Sequence, residues 1–229
     1  MSKSMVDQLS FSLPRKVLLN RENYFISRAN RNAVSLIENS KAWPLNKLIL
    51  VGSEGSGKTH LASLWAEKVG AKTLSSTDLM EEKISELSGS PVLIEDIDRI
   101  QRNRPAETVF FHLHNLLNLE TTSLLMTSRL LPGRLNFILE DLQSRIMGSS
   151  TVELETIDDE LIAAILIKLF ADRQMYFSDK LLAYVLLRIE RSYLAIRAFV
   201  EELDSRAMTE NRVIGKRLVR DILDKVKQS

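Results

Sequence analysis

The stretch Gly52-Ser53-Glu54-Gly55-Ser56-Gly57-Lys58-Thr59 constrains this chain more than any other. A glycine, four residues and then Gly-Lys-Thr is the spacing of a Walker A motif, or P-loop. The apolar run Lys47–Val51 precedes it and reads as a buried parallel strand. A helical pattern over Lys58–Val69 follows it directly. The order strand, glycine loop, helix explains the residue types. Gly52, Gly55 and Gly57 let the backbone turn tightly, so that successive amide N–H groups face one anion. Ser56 lies within that turn, and the following helix adds its positive N-terminal end. Lys58 reaches the outer phosphates of a nucleotide, and the Thr59 hydroxyl is a ligand for Mg²⁺. A loop of this kind needs a parallel α/β sheet behind it.

The rest of the chain supplies that sheet. An amphipathic helix is expected over 30–38. Further strands are expected at 71–74, 91–94, 123–127 and 151–154, with helices between them at 79–87, 107–118 and 140–147. Strands alternating with helices argue for a parallel sheet covered on both faces. After Leu154 only helical periodicity remains, in four pieces at 159–173, 179–188, 191–207 and 213–227. Asp158 and Ser178 are placed to cap two of them. The expected fold is therefore α/β, a P-loop NTPase with a parallel sheet core, followed by a small all-helical lid. The expected organisation is a flexible N-terminal tail at 1–13, an α/β nucleotide-binding domain at 14–155 and a helical domain at 156–229.

Three further constellations carry chemistry. Pro91-Val92-Leu93-Ile94-Glu95-Asp96 is an apolar strand ending in two acids, as a Walker B strand does. There the first acid holds Mg²⁺ through water and the second polarises the attacking water. With Glu95 first and Asp96 second, the common Asp-then-Glu order is reversed. Each carboxylate is then displaced by about 1.5 Å, one C–C bond length. Displacements of that size slow reactions strongly, so tight binding with slow hydrolysis is expected. A second strand ends in Thr127-Ser128-Arg129, where the Thr127 hydroxyl is placed to orient water. Arg145 precedes the last strand and faces outward, where it can meet a neighbouring molecule's nucleotide as an arginine finger or simply form a surface ion pair. His60, His112 and His114 do not have the spacing of a metal site, because residues two apart on a helix diverge.

Together these pieces resemble the DnaA family of AAA+ ATPases, and within it the short Hda-type homologues. The resemblance covers nearly the whole chain. It rests on Asn23-Tyr24-Phe25-Ile26 with Asn30-Arg31, on Gly57-Lys58-Thr59-His60-Leu61, on Ile94-Glu95-Asp96-Ile97, on Asp141-Leu142-Gln143-Ser144-Arg145, and on Glu201–Asp204. It implies an AAA+ domain with a helical lid, binding ADP or ATP with Mg²⁺. Thr59 and Glu95 would hold the metal, and His60, Phe25 and Ile26 would join the nucleotide-binding set. The resemblance also implies a lid arginine that touches the phosphates. The ungapped position is Leu194, so Arg191 or Arg197 could take the part through a register shift; if neither reaches, the nucleotide loses one contact. Arg197 is favoured because it lies within the apolar face Leu194–Ala198.

The resemblance gives the N-terminal tail a meaning. Gln8-Leu9-Ser10-Phe11-Ser12-Leu13 is similar to the peptide by which Hda-type proteins bind the DNA polymerase sliding clamp. An extended peptide can put Leu9 and a second apolar side chain, Phe11 or Leu13, into a groove while Gln8 hydrogen-bonds at its mouth. The function so implied is regulation of replication initiation. Bound to the clamp, the chain would supply Arg145 to ATP-bound DnaA, promote hydrolysis of DnaA's ATP and prevent re-initiation. Two alternatives are a stand-alone ATPase of the DnaC helicase-loader type and a passive adaptor whose P-loop only stabilises the fold. Self-association stays open, as does weak ATPase activity of the chain itself.

Charge and composition narrow the partners. There are 31 basic and 30 acidic residues, a net charge of +1, and no basic block of the kind a duplex-DNA binder carries. Strong direct DNA binding is not expected, nor is a helix-turn-helix domain beyond the lid. No cysteine is present, which removes thiol catalysis and Cys-containing zinc sites. No apolar run is long enough for a signal or a membrane span, and a cytoplasmic location is expected.

Overall fold

The structure is a computed structural model that describes residues 19–20, 24–210 and 214–226. The clamp-peptide residues Gln8, Leu9, Phe11 and Leu13, and Asn23, lie outside the described residues. A five-stranded parallel sheet forms the centre: β3 (Lys47–Val51), β4 (Lys72–Ser75), β5 (Val92–Glu95), β6 (Leu124–Ser128) and β7 (Ser150–Glu153), in the order β4-β5-β6-β3-β7. A two-residue antiparallel pair, β1 (Leu19–Asn20) with β2 (Tyr24–Phe25), precedes it. No strand was expected there, because two residues are too few to show a period.

The period of two along β3 divides the core. Leu48 and Leu50 face the layer of α1 (Arg31–Glu38) and α2 (Lys58–Val69), where Trp43 stacks on Trp65 at 5.3 Å between ring centroids. Ile49 and Val51 face the layer of α3 (Glu81–Leu87), α4 (Arg104–Leu119) and α5 (Glu140–Met147), packed around Ile94, Phe110, Leu113 and Met126. Both faces of every central strand are therefore covered, as their continuous apolar composition requires.

A third core belongs to the helices after the sheet: α6 (Asp159–Asp172), α7 (Asp179–Leu186), α8 (Tyr193–Glu210) and α9 (Lys216–Val226). Asp158 accepts from the Leu161 N–H at 2.8 Å and Ser178 from the Leu181 N–H at 3.4 Å. These are the two expected caps, and each fixes where its helix starts. Among the described residues no helix is long and apolar enough to cross a membrane.

Strand order positions the functional loops. Because β6 lies between β3 and β5, the loops after all three strands meet at one edge of the sheet. The register Val51↔Ser128 brings the ends of β3 and β6 level, and the Gly52 N–H donates to the Ser128 carbonyl at 3.2 Å.

Candidate nucleotide-binding site

The P-loop closes between β3 and α2. Gly55 (φ +73°) and Gly57 (φ +94°) occupy the left-handed region that ordinary side chains avoid. At Gly55 there is a second restriction: a Cβ there would stand 2.5 Å from the Cβ of Ser192. The Lys58 ammonium folds over the loop and donates to the carbonyls of Gly52 (2.7 Å) and Ser53 (2.8 Å). Burial lowers its pKa from the usual lysine value; Asp96 and Asp98 work against that, Arg129 adds to it, and Glu54 opposes it.

Two buried oxygens here lack hydrogen-bond partners: Ser56 Oγ inside the loop and Glu95 Oε1 at the end of β5. Buried polar atoms without partners are uncommon in folded proteins. Their position, beside a glycine cradle and a lysine, fits a phosphate with its divalent cation. Thr59 is exposed on the first turn of α2. Asp96, by contrast, is held chiefly through its backbone, and its carboxylate has a single surface ion pair. It adopts a left-handed conformation (φ 56°, ψ 50°), donates its N–H to Thr127 Oγ1 at 2.9 Å, accepts from Ser76 Oγ at 2.7 Å, and pairs with Arg99 at 3.0 Å. Glu95, Asp96 and Thr127 thus stand together at the sheet edge beside the P-loop.

A cavity of about 220 Å³ continues from the loop toward the helical unit. Ser56, Gly57 and His60 form its end at the P-loop; Phe25, Leu161, Ile165 and Tyr193 supply apolar walls. Such a mixture, polar at one end and flat and apolar at the other, suits a nucleotide. Of the sequence candidates, Phe25 and His60 line it. Ile26 is not among its lining and packs instead against the core beneath α1 and α2. The His60 and Tyr193 rings lie nearly parallel, 6.1 Å apart.

The lid arginines are placed differently from expectation. The buried stripe of α8 runs through Ala195, Ile196, Phe199, Val200 and Leu203, while Leu194 and Ala198 are exposed. The apolar face read as Leu194–Ala198 is therefore offset by one residue, and Arg197 lies outside the cavity, paired with Glu201 at 2.7 Å. Arg191 pairs with Asp159 at 2.8 Å and donates to the Ile157 carbonyl at 3.4 Å, next to the cavity wall. What sequence reasoning missed is the contact that does touch the loop: Ser192 against Gly55, and the Tyr193 N–H donating to the Gly55 carbonyl at 2.8 Å. Ser192 falls inside the helix expected at 191–207, so nothing in the sequence signals this contact.

Arg145 lies elsewhere. It sits exposed in the last turn of α5, which leads into β7 at Ser150, opposite Leu48 of β3. That is the edge of the sheet where the strands begin, so the P-loop and Arg145 occupy opposite edges. Among the described residues no carboxylate lies within ion-pair distance of it. Of the other histidines, His112 is exposed beside Glu81 and His114 is buried beneath the Arg145 edge.

No protein-family model matches the sequence. Solved structures do resemble the fold. Domain III of the replication initiation protein DnaA from Thermotoga maritima superposes with a TM-score of 0.77 at 17% identity, covering 88% of this chain and 93% of that one. AMPPCP-bound DnaA from Aquifex aeolicus gives 0.67 at 20% identity, covering 81% of this chain and 65% of that one. The Holliday junction branch migration motor RuvB of Thermotoga maritima gives 0.66 at 17% identity, covering 87% and 69%. The fold is that of AAA+ P-loop NTPases, a parallel sheet module with a helical lid.

Proposed function

We propose that this chain is an Hda-type AAA+ regulator of replication initiation. It holds ADP or ATP in the cleft between P-loop and lid. Lys58 and the loop amides take the phosphates, Thr59 and Glu95 are the oxygen donors for Mg²⁺, and Phe25 with Leu161 forms the apolar wall for the base. The bound cation would neutralise phosphate charge. The likeness to AMPPCP-bound DnaA supports a nucleotide in this cleft. The reversed order of Glu95 and Asp96, each carboxylate displaced by about 1.5 Å from the common arrangement, suits holding a nucleotide better than turning it over rapidly.

The observation that carries the regulatory reading is Arg145: exposed, without an ion-pair partner among the described residues, and on the sheet edge remote from the chain's own P-loop. A guanidinium so placed is presented to another molecule. Supplied in trans to ATP-bound DnaA, it would stabilise the charge that develops on the transferred phosphate, an effect worth roughly 10³–10⁵ in rate for arginine fingers. The peptide Gln8–Leu13 would bring the chain to the sliding clamp on DNA.

The test is a reconstituted DnaA–ATP hydrolysis assay with clamp and DNA. The full chain should accelerate hydrolysis; Arg145→Ala should abolish the acceleration while retaining clamp and nucleotide binding. Full acceleration by Arg145→Ala would sink this reading in favour of the passive adaptor. A second reading, a stand-alone ATPase of the helicase-loader type, draws on Glu95, Asp96 and Thr127 standing together. Rapid ATP turnover by the purified chain without clamp or DnaA would favour it.

A further inference from the structure

Arg145 stands over two buried groups that the proposed mechanism does not use. Its carbonyl accepts from Ser149 Oγ at 3.0 Å, and the next residue, Ser150, opens β7 opposite Leu48 of β3. That pairing brings Arg145 near the first residue of β3, Lys47, which is only 1% exposed. The Lys47 ammonium donates to Asn118 Oδ1 at 3.1 Å and to the Leu45 carbonyl at 3.3 Å, and both partners are neutral. The second group is His114 on α4, the helix that packs against α5. It is buried, and neither ring nitrogen has a hydrogen-bond partner. Burial, then the charge of Arg145, lowers the Lys47 pKa; burial, then Lys47, then Arg145 lowers that of His114 to about 4. The three groups therefore lie within one another's fields, and His114 stays neutral beside two cations.

A buried charge is ordinarily matched by an opposite one, because neutral hydrogen bonds repay only part of its desolvation. Lys58, likewise buried, has Asp96 and Asp98 in its field. The charge that acts on Lys47 is instead another cation. Arg145 is unmatched as well. Asp141 lies one turn before it on α5, at the spacing by which Arg206 pairs with Glu202 and Arg197 with Glu201, yet Arg145 makes no such pair. Like charges repel more strongly where water screens them less. A fixed ammonium under this edge thus disfavours conformers in which the guanidinium folds back onto the sheet. It also adds positive potential where an incoming anion meets Arg145.

We propose that Lys47 is a positioning residue for Arg145: a buried ammonium with only neutral partners, it holds the guanidinium off its own chain and toward an anionic group of another molecule. The inference rests on the reading of Arg145 as an arginine finger supplied in trans. A Lys47 that served only to tie Leu45 to Asn118 would act through its hydrogen bonds and not through its charge.

Two substitutions at the exposed Asn118 separate bond from charge. Asn118→Asp keeps an acceptor for Lys47 and supplies the missing countercharge. Asn118→Ala removes the acceptor and leaves the ammonium charged. The full chains are compared by melting curves and in the DnaA–ATP hydrolysis assay with clamp and DNA. Asn118→Asp should melt no lower than wild type, yet lower the maximal rate at saturating chain by about tenfold. The concentration for half-maximal effect should change by less than about threefold, whereas loss of folded chain would move that concentration and spare the maximal rate. Lys47→Met, which removes the ammonium itself, should lower the maximal rate in the same way. Asn118→Ala should melt lower and keep the maximal rate. An unchanged maximal rate with Asn118→Asp and Lys47→Met, or its loss with Asn118→Ala, would overturn the inference while leaving the role of Arg145 standing. A wild-type chain that does not accelerate hydrolysis, or an Arg145→Ala chain that does so fully, would overturn that role and this inference with it.

Discussion

The backbone N–H of Tyr193, the first residue of α8, donates to the carbonyl of Gly55 at 2.8 Å, so the lid is bonded to the middle of the P-loop. Ser192 fills the space where a side chain at position 55 would be. Two glycines of one loop are thus glycine for different reasons. Gly57 needs only its left-handed backbone, with no atom within 4 Å of a built Cβ, whereas Gly55 needs both backbone and space.

Gly57→Ala should therefore cost only conformational strain, about 1–2 kcal/mol. Gly55→Ala should cost more, push the lid from the loop and weaken ADP binding by at least about tenfold. The double variant Gly55→Ala/Ser192→Gly should recover part of the loss. Melting curves and calorimetry on the four proteins check this, and a strictly additive pair would count against the packing argument.

Glu107 is fully buried in α4, with one carboxylate oxygen accepting from the Arg102 N–H (2.9 Å) and the other from the Leu139 N–H (2.8 Å). Leu139 is the residue from which α5 starts. Glu107→Gln has only one acceptor oxygen and should lose about 1.5–3 kcal/mol, the worth of one bond to a charged group. Urea unfolding gives the size, and hydrogen exchange should rise selectively over 139–147. Unchanged exchange there would refute the link between Glu107 and the helix that carries Arg145.

His114 should make the fold acid-sensitive. Burial, then the charges of Lys47 and Arg145, push its pKa from 6.5 down to about 4. Between those values the unfolded chain binds a proton that the folded one refuses, so stability rises with pH across that window and is lost as pH falls through it. The full effect is roughly 3 kcal/mol. His114→Leu removes this contribution. The gap between variant and wild type in urea unfolding should therefore move in the variant's favour from pH 7 to pH 4.5, and a pH-independent gap would contradict it.

Phe25 is one of the apolar walls of the cavity. Phe25→Ala should weaken ADP by about five- to thirtyfold, the loss of 1–2 kcal/mol of apolar contact. Inorganic pyrophosphate, which needs only the loop, should bind the variant as it binds the wild type. Equal weakening of both would place the base elsewhere.

Much of this was legible in the sequence because the signals were local. The strand Lys47–Val51 and the helices at 58–69 and 140–147 fall where a short apolar run, a glycine loop and a 3.6 period put them. Phe25 and His60 reach the cavity because each adjoins a recognisable motif. The rest depends on which residues meet across the fold. α6 falls within the helix expected at 159–173, yet nothing in its composition tells that Leu161 and Ile165 also form the wall of a cleft. In α8 a mixed apolar and charged pattern left the buried stripe ambiguous by one position, enough to misplace Arg197. Arg129 gave no signal at all. It pairs with Asp98, 31 residues away in sequence and brought near only because β5 and β6 are neighbours.

The placement of Arg145 and the P-loop at the two ends of β3 makes that strand a ruler. Its four residue steps from Lys47 to Val51 span about 13 Å at the usual strand rise, and a sheet buried on both faces does not shorten. Arg145 and the P-loop are thus held apart by a rigid spacer, which gives the module two distinct poles. Any assembly that engages both poles must be directional, and a chain engaged at one pole leaves the other open at the far end.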